Sequence, residues 1–361
     1  MGDIFTHDML TRYEEILFIV AVISYMVCSG IFIWYLISKN EKVAQLGTIL
    51  LTMGLVAHTV ALALRWGTSG HAPMSNTYES LSMFGWGIVL FFLIAQRFYP
   101  IRAAGAMVVP TAFLITSVAG VFYQGPDIPL APALQSIWLW IHVTIAMLSY
   151  GLFALAFGAG FLYIIQENLL KKNYKGVVTA FTLLFAALGM VLGLWIGSML
   201  AEPVLVQDPI TRTAGNDYAF SDYFRIFGGG VLGLIIFLVL GYISGKGASK
   251  RSFSNILPSL DVLDEVSYRG VAFGFPLLTI GIVTGAIWAD QAWGRWWGWD
   301  PKETWSFITW LFYGGYLHTR LTMGWRGKHS ALLAVVGLIV VLITYLGVNF
   351  FFSGLHSYAT G

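Results

Sequence analysis

Charge is scarce in this sequence. Its 361 residues include 20 basic and 18 acidic side chains, 11% of the chain, whereas a soluble domain typically has about a quarter. The net charge is only +2, so neither a basic nucleic-acid footprint nor a self-repelling disordered tail fits. A single cysteine, Cys28, excludes a disulfide scaffold and any cysteine-built metal cluster. Internal repeats and low-complexity tracts are missing as well. What remains is apolar: 57% of residues are hydrophobic, the mean hydropathy is +0.75, and 16% are aromatic, with 14 Trp, 17 Tyr and 26 Phe. The composition predicts an all-α polytopic membrane helix bundle.

A bilayer core takes about 20 apolar residues per helix, and ten stretches qualify: 16–37, 45–64, 80–98, 104–123, 137–165, 177–200, 223–243, 271–290, 303–320 and 330–352. In lipid the backbone must satisfy its own hydrogen bonds, so these stretches are expected to be helices. The first, Ile16–Ile37, is read as a span rather than a removable leader: it is long, and its flank is acidic (Asp8, Glu14, Glu15). Loops following odd-numbered spans carry 14 of the Lys and Arg residues, and the opposite side carries 6. The positive-inside rule then puts both termini outside. Leu257–Glu265 is amphipathic and reads as an interfacial helix on the inner side, leading into span eight.

Four of the seven histidines, His58, His71, His142 and His318, lie in or beside spans, where an ionisable group is a functional candidate by default. His7 and His329 read as solvated surface, and His356 lies just beyond span ten. Cys28 reads as packing.

The most unusual stretch is Trp293-Gly-Arg-Trp-Trp-Gly-Trp-Asp-Pro-Lys-Glu-Thr-Trp305, with five indoles in thirteen residues. An interfacial belt needs only one or two Trp per helix end. Gly294 and Gly298 leave room for something flat to approach the backbone, and Arg295 and Lys302 add cations. Indole faces with cations suit a planar aromatic carrying carboxylates, a description a metalloporphyrin meets. Asp300, Pro301 and Glu303 read as the N-cap, first residue and capping-box partner of span nine, and Asn76 to Glu79 open span three in the same way.

With this motif on the page, the chain resembles the WWD family of haem-handling membrane proteins, and within it the CcsA/ResC-type subunits of the system II cytochrome c synthase. Gly70–Ser80, Leu257–Arg269 and Tyr316–Arg320 match as well. The resemblance implies a haem lyase subunit that moves haem b to the outer face and attaches it to the Cys-x-x-Cys-His motif of apocytochrome c. It implies a CcsB/ResB-like membrane partner, a thioredoxin-like thiol reductant, and a bacterial cytoplasmic membrane with the Trp loop outside. It does not imply nucleic acid. By motif position it makes His142 and His356 the external axial ligands and His318 the ligand within the membrane. Trp293, Trp296, Trp297, Trp299, Asp300 and Arg295 become haem contacts.

Geometry accommodates this. Span five, 29 residues, reaches ~44 Å against a ~30 Å core, so His142 should project with Trp138 on one helical face. His318 lies ~21 Å along span nine, with Gly314 and Gly315 beside it. His58 sits only ~10 Å below its end of span two, too shallow to pair comfortably with His318, and its role stays open, as does that of His71. The resemblance assigns the second membrane ligand to the partner.

The expectation is a single membrane domain over 1–361, with 171–254 as an added two-span segment carrying the loop Ala201–Asp222 and with 291–303 as the external Trp-rich loop. Three other readings remain: a haem-delivery protein without synthase chemistry, an electron-transfer subunit with paired haems, and a scaffold that binds no cofactor.

Overall fold

In a computed structural model, residues 2–123, 130–183, 186, 204–207, 214–217, 228, 231–236, 238–243, 245–246 and 256–348 are described. They form two compact units: Met1–Tyr163 with Ile256–Gly361, and Ile164–Asn255. The first holds α1 (Gly2–Ser38), α2 (Glu41–Ser69), α3 (Thr77–Phe98), α4 (Gly105–Val121) and most of α5 (Ile137–Leu170). The second holds helices α6 (174–183) and α7 (Val231–Ile243), together with a two-stranded antiparallel ribbon, β1 (Val204–Gln207) and β2 (Ala214–Asp217). Back in the first unit follow α8 (Leu260–Trp293), α9 (Pro301–Leu321) and α10 (Lys328–Leu342), the last continued by a π turn over Ile343–Gly347.

Seven of the described helices are long and apolar enough to cross a membrane: His7–Leu36, Glu41–Ser69, Thr77–Phe98, Arg102–Val121, Ile137–Leu170, Leu260–Trp293 and Lys328–Gly347. They coincide with expected spans one to five, eight and ten. Span nine is α9, which is not among the seven because its Trp, Tyr and Gly residues, with His318 and Arg320, lower its hydropathy throughout. Helices α6 and α7 fall on expected spans six and seven; most of span six, the start of span seven, and the loop 201–222 apart from its two strands lie outside the described residues.

Helix α5 is the hub of the first unit: 89% of its apolar window is buried, against 28–50% in the others. Small residues let its neighbours close in on it. A methyl added at Gly151 would sit 2.9 Å from the backbone of Gly87 on α3, one at Gly160 2.9 Å from the Ala331 carbonyl of α10, and one at Gly270 of α8 2.9 Å from the Leu152 carbonyl. Around this hub α1 packs along α2 and α4, and α3 along α4. The outer faces of α1 and α2 expose Ile19, Ile23, Ile49, Met53 and Val56, as a lipid-facing surface should.

Three expectations change. The residues ahead of expected span one already belong to α1, and His7, expected as solvated surface, is part-buried with Nε2 3.1 Å from the Thr68 carbonyl. The separate interfacial helix over Leu257–Glu265 does not form. Capped by Ser259, α8 runs unbroken through Pro276, and Leu257, Leu263 and Val266 are buried against the bundle rather than laid on a bilayer. The Asn76–Glu79 cap is only half a capping box. Asn76 Oδ1 accepts the Glu79 amide at 2.9 Å, but Glu79 Oε2 reaches on to the amide and hydroxyl of Ser75, at 2.8 and 2.7 Å.

That reach belongs to a buried charge cluster. Arg65 Nε donates to Glu79 Oε1 at 2.9 Å, and Arg65 Nη1 lies 3.7 Å from Glu14 Oε2. Glu14 also accepts the Tyr78 hydroxyl at 3.0 Å, and the guanidinium lies over the rings of Tyr78 and Tyr123. The cluster ties α1, α2 and α3 to the buried loop 71–75.

Candidate functional site

One end of the first unit gathers the start of α3, the start of α5, the end of α8, the first turns of α9 and the π turn after α10 around a cavity. His142 lines it, as do Trp296 and Trp297 of the Trp loop, Lys302 and Glu303 of α9, and Tyr345.

The loop takes its shape from backbone needs. Gly294 ends α8 in the left-handed region, at φ 70°, with its amide bonded to the Asp290 carbonyl at 2.8 Å. Across the turn, Asp300 and Glu303 form the expected capping box on α9. Glu303 Oε2 accepts from both the Gly298 amide, at 2.7 Å, and the Asp300 amide, at 3.1 Å. Between those amides Trp299 is held at φ 57°. An indole in that backbone region carries about 1–3 kcal/mol of strain, and here the carboxylate bracket imposes it. The Trp299 indole is 68% exposed and meets Trp297 edge-on at 5.8 Å. Trp297 meets Phe307 edge-on, Phe307 stacks on Trp310, and Trp310 donates to Thr279 Oγ1 on α8 at 2.9 Å.

The glycines of the motif have local causes. Gly294 is a helix cap, and Gly298 gives way to its neighbour, since a methyl there would fall 2.5 Å from the Arg295 guanidinium carbon. Arg295 thus folds over its own loop, exposed, and is not among the residues that line the cavity. Trp293 likewise turns away from the cavity, packing edge-on against Trp288 at 4.8 Å.

Helix α5 delivers His142. Its Nδ1 lies 2.6 Å from the Gly281 carbonyl, and its ring is near-parallel to Trp288, with centroids 6.4 Å apart and planes at 14°. Trp288 is buried in a cluster with Leu134 and Leu139, and its Nε1 donates to the Ala133 carbonyl at 2.8 Å. Sequence reasoning missed Trp288; a tryptophan inside an apolar helix, one turn and a half before the motif, was the available signal. It also missed Gly285, where a methyl would sit 2.7 Å from the His142 ring.

The other histidines go elsewhere. His58 is fully buried, with Tyr25 Oη 3.1 Å from Nδ1 and Ser82 Oγ 2.7 Å from Nε2. Both ring nitrogens are occupied, so it is a core histidine. His71 is buried with Nδ1 3.0 Å from the Ala72 carbonyl. His318 is away from the cavity, on the outward face of α9 near exposed Leu311 and Gly315. His329, exposed at the start of α10, lies against Trp325. His356 lies outside the described residues.

Residues 74–356 match the family model described as cytochrome C assembly protein. Three similar chains are each called cytochrome c biogenesis protein CcsA. That of Nostoc punctiforme is 38% identical over 323 residues, covering 87% of this chain and 88% of its own. That of Porphyra purpurea is 37% identical over 325 residues, covering 89% and 88%. That of Gloeothece citriformis is 36% identical over 318 residues, covering 87% of both chains.

Proposed function

This chain belongs to the cytochrome c assembly family, among the CcsA-type cytochrome c biogenesis proteins, and from that premise we propose that it brings haem b to the outer face of a bacterial cytoplasmic membrane and holds it for covalent attachment to apocytochrome c. The observation that carries the reading is the cavity itself, which His142 and two indoles of the Trp loop line together.

The residues fit a porphyrin substrate. An Nδ1–H donated to the Gly281 carbonyl leaves Nε2 as the lone-pair nitrogen, the form that ligates iron, and locks the ring's orientation. Leu134, Leu139, Val143 and Trp288 supply an apolar wall. His356 is the proposed second axial ligand. Trp296 and Trp297 cover the ring, and the exposed Trp299 borders the approach of the apocytochrome. Trp293 acts through Trp288, Asp300 through the cap, and Arg295 by shaping the loop.

His318 is the proposed ligand on the inward part of the route. An imidazole on an outward helix face within the bilayer needs a cover, and a CcsB/ResB-like subunit supplies it together with a second histidine. The bond-forming step adds each substrate thiol across a haem vinyl. Sulfur joins one carbon and hydrogen the other, so no oxidant is consumed. A thioredoxin-like reductant keeps the thiols free. Two strong nitrogen ligands keep the iron shielded until the substrate histidine displaces one.

The test is reconstitution of the chain and its partner with haem and an apocytochrome under reducing conditions. Expected is a His142-dependent haem band and a covalent cytochrome product. A haem band with transfer to a carrier but no thioether supports the delivery reading instead. No haem band in the wild type rejects both.

A further inference from the structure

Helix α9 turns a polar face inward. Its buried residues are Thr309, Tyr313, Tyr316 and Arg320, spaced four, three and four apart on one stripe. Its apolar Phe307, Ile308, Leu311 and Leu321 are exposed. The stripe runs ~17 Å along the helix axis. Its outer end meets the cavity: Thr309 Oγ1 lies 2.6 Å from Thr344 Oγ1, and Thr344 lines the cavity. Its inner end is an ion pair, with Arg320 Nη1 and Nη2 donating to the Asp264 carboxylate of α8 at 2.7 and 2.6 Å.

Between those ends hydroxyls are left over. Tyr313 Oη, Tyr316 Oη and Ser267 Oγ of α8 are buried with no hydrogen-bond partner among the described residues. Phe153 of α5 stacks on the Tyr313 ring at 3.6 Å. Gly337 of α10 leaves room for the Tyr313 hydroxyl, since a methyl there would fall 2.6 Å from it. Tyr316 Oη faces Ser267 Oγ without closing a bond to it. Tyr313 is in electrostatic reach of Tyr316 on one side and of Tyr150 on the other, and Tyr150 lines the cavity.

Packing alone does not ask for these groups. Phenylalanine would fill the same volume, as it does at Phe153 and Phe157 of α5, and would strand no hydroxyl. A buried hydroxyl with no partner is costly, and the lipid around the bundle offers none. Three of them on two neighbouring helices instead supply the two to four polar partners that an internal water needs. Polar groups turned to the inside of a membrane bundle characteristically line such a path.

We propose that the inward face of α9 is a water-binding seam: water bridges Tyr313, Tyr316 and Ser267 and joins the cavity to Asp264 and Arg320 through the middle of the bundle. The cavity then takes up and releases water on its inner side as well as its outer one. The seam rests on the packing of α8, α9 and α10, and stands whatever molecule fills the cavity.

The test is X-ray hydroxyl-radical labelling of the full-length chain purified with its partner. Radicals made from bound water oxidise the side chains beside it, and mass spectrometry reads the rate at each residue. Tyr25 is the dry reference: it is as deeply buried, and its hydroxyl lies 3.1 Å from His58 Nδ1. Tyr313 and Tyr316 should be labelled several-fold faster than Tyr25. Ser267→Ala removes one bridging partner and leaves the rings and the ion pair in place. It should slow labelling of Tyr316 towards the Tyr25 rate and melt below the wild type, because bridged water loses a bond. Rates at Tyr313 and Tyr316 no faster than at Tyr25 overturn the seam. Fast labelling that Ser267→Ala leaves unchanged overturns the bridge, and so does a Ser267→Ala variant that melts at or above the wild type, the result expected when an unpartnered hydroxyl is deleted.

Discussion

His142 Nδ1 and the Gly281 carbonyl oxygen, on helices α5 and α8, are 2.6 Å apart. One hydrogen bond between two long helices thus sets the tautomer and direction of the imidazole at the cavity. The same turn of α8 makes room for the ring at Gly285. In metal sites, partners of this kind commonly govern affinity as strongly as some ligands do.

Gly285→Ala tests the arrangement without touching a ligand. Its methyl would fall 2.7 Å from the His142 ring, too close to be tolerated, so the imidazole must swing and give up the Gly281 carbonyl. Haem affinity at the outer site should fall by about ten- to a hundredfold, with the purified protein still monodisperse. An unchanged titration would mean that His142 is not the ligand.

His58→Leu should do the opposite. Both of its nitrogens are occupied, by Tyr25 and Ser82, so its loss should leave the haem spectrum intact. Stranding two buried hydroxyls costs about 1–3 kcal/mol each at most, visible as earlier thermal unfolding in detergent. A shifted haem band would restore His58 as a ligand.

Much of this architecture was legible because its signals are local. Apolar runs give spans, and the Asp300 to Glu303 spacing gives a capping box within one turn. The Trp segment places two indoles, Trp296 and Trp297, at the cavity within a few residues of the α9 cap. What escaped joins distant residues: Ser80 to Tyr345 across 265 positions, His142 to Gly281 across 139, Glu14 to Tyr78 across 64. No periodicity encodes such pairs. The motif glycines misled for a related reason. Their backbone and packing causes, a helix cap and a folded-over arginine, produce the same residue that close ligand approach would.

Arg65 offers a stability prediction. Arg65→Leu leaves Glu14 and Glu79 buried beside each other without their cation, a change worth about 3–5 kcal/mol. The loop held through Ser75 should loosen with it, so protease cleavage within 70–76 should rise. Combining Arg65→Leu with Glu14→Gln and Glu79→Gln should recover most of the loss, because no unpaired charge then remains. If the single and triple variants melt together, the cluster is not the source of the stability.

Trp299 separates strain from function. At φ 57° any side chain is disfavoured, so Trp299→Gly should release about 1 kcal/mol or more and raise thermal stability. Trp299→Ala keeps the backbone strain and gains nothing. Both variants lose the exposed indole, so both should impair cytochrome c assembly to a similar degree despite their different stabilities. Restored assembly in the glycine variant would make the indole dispensable and the turn alone important.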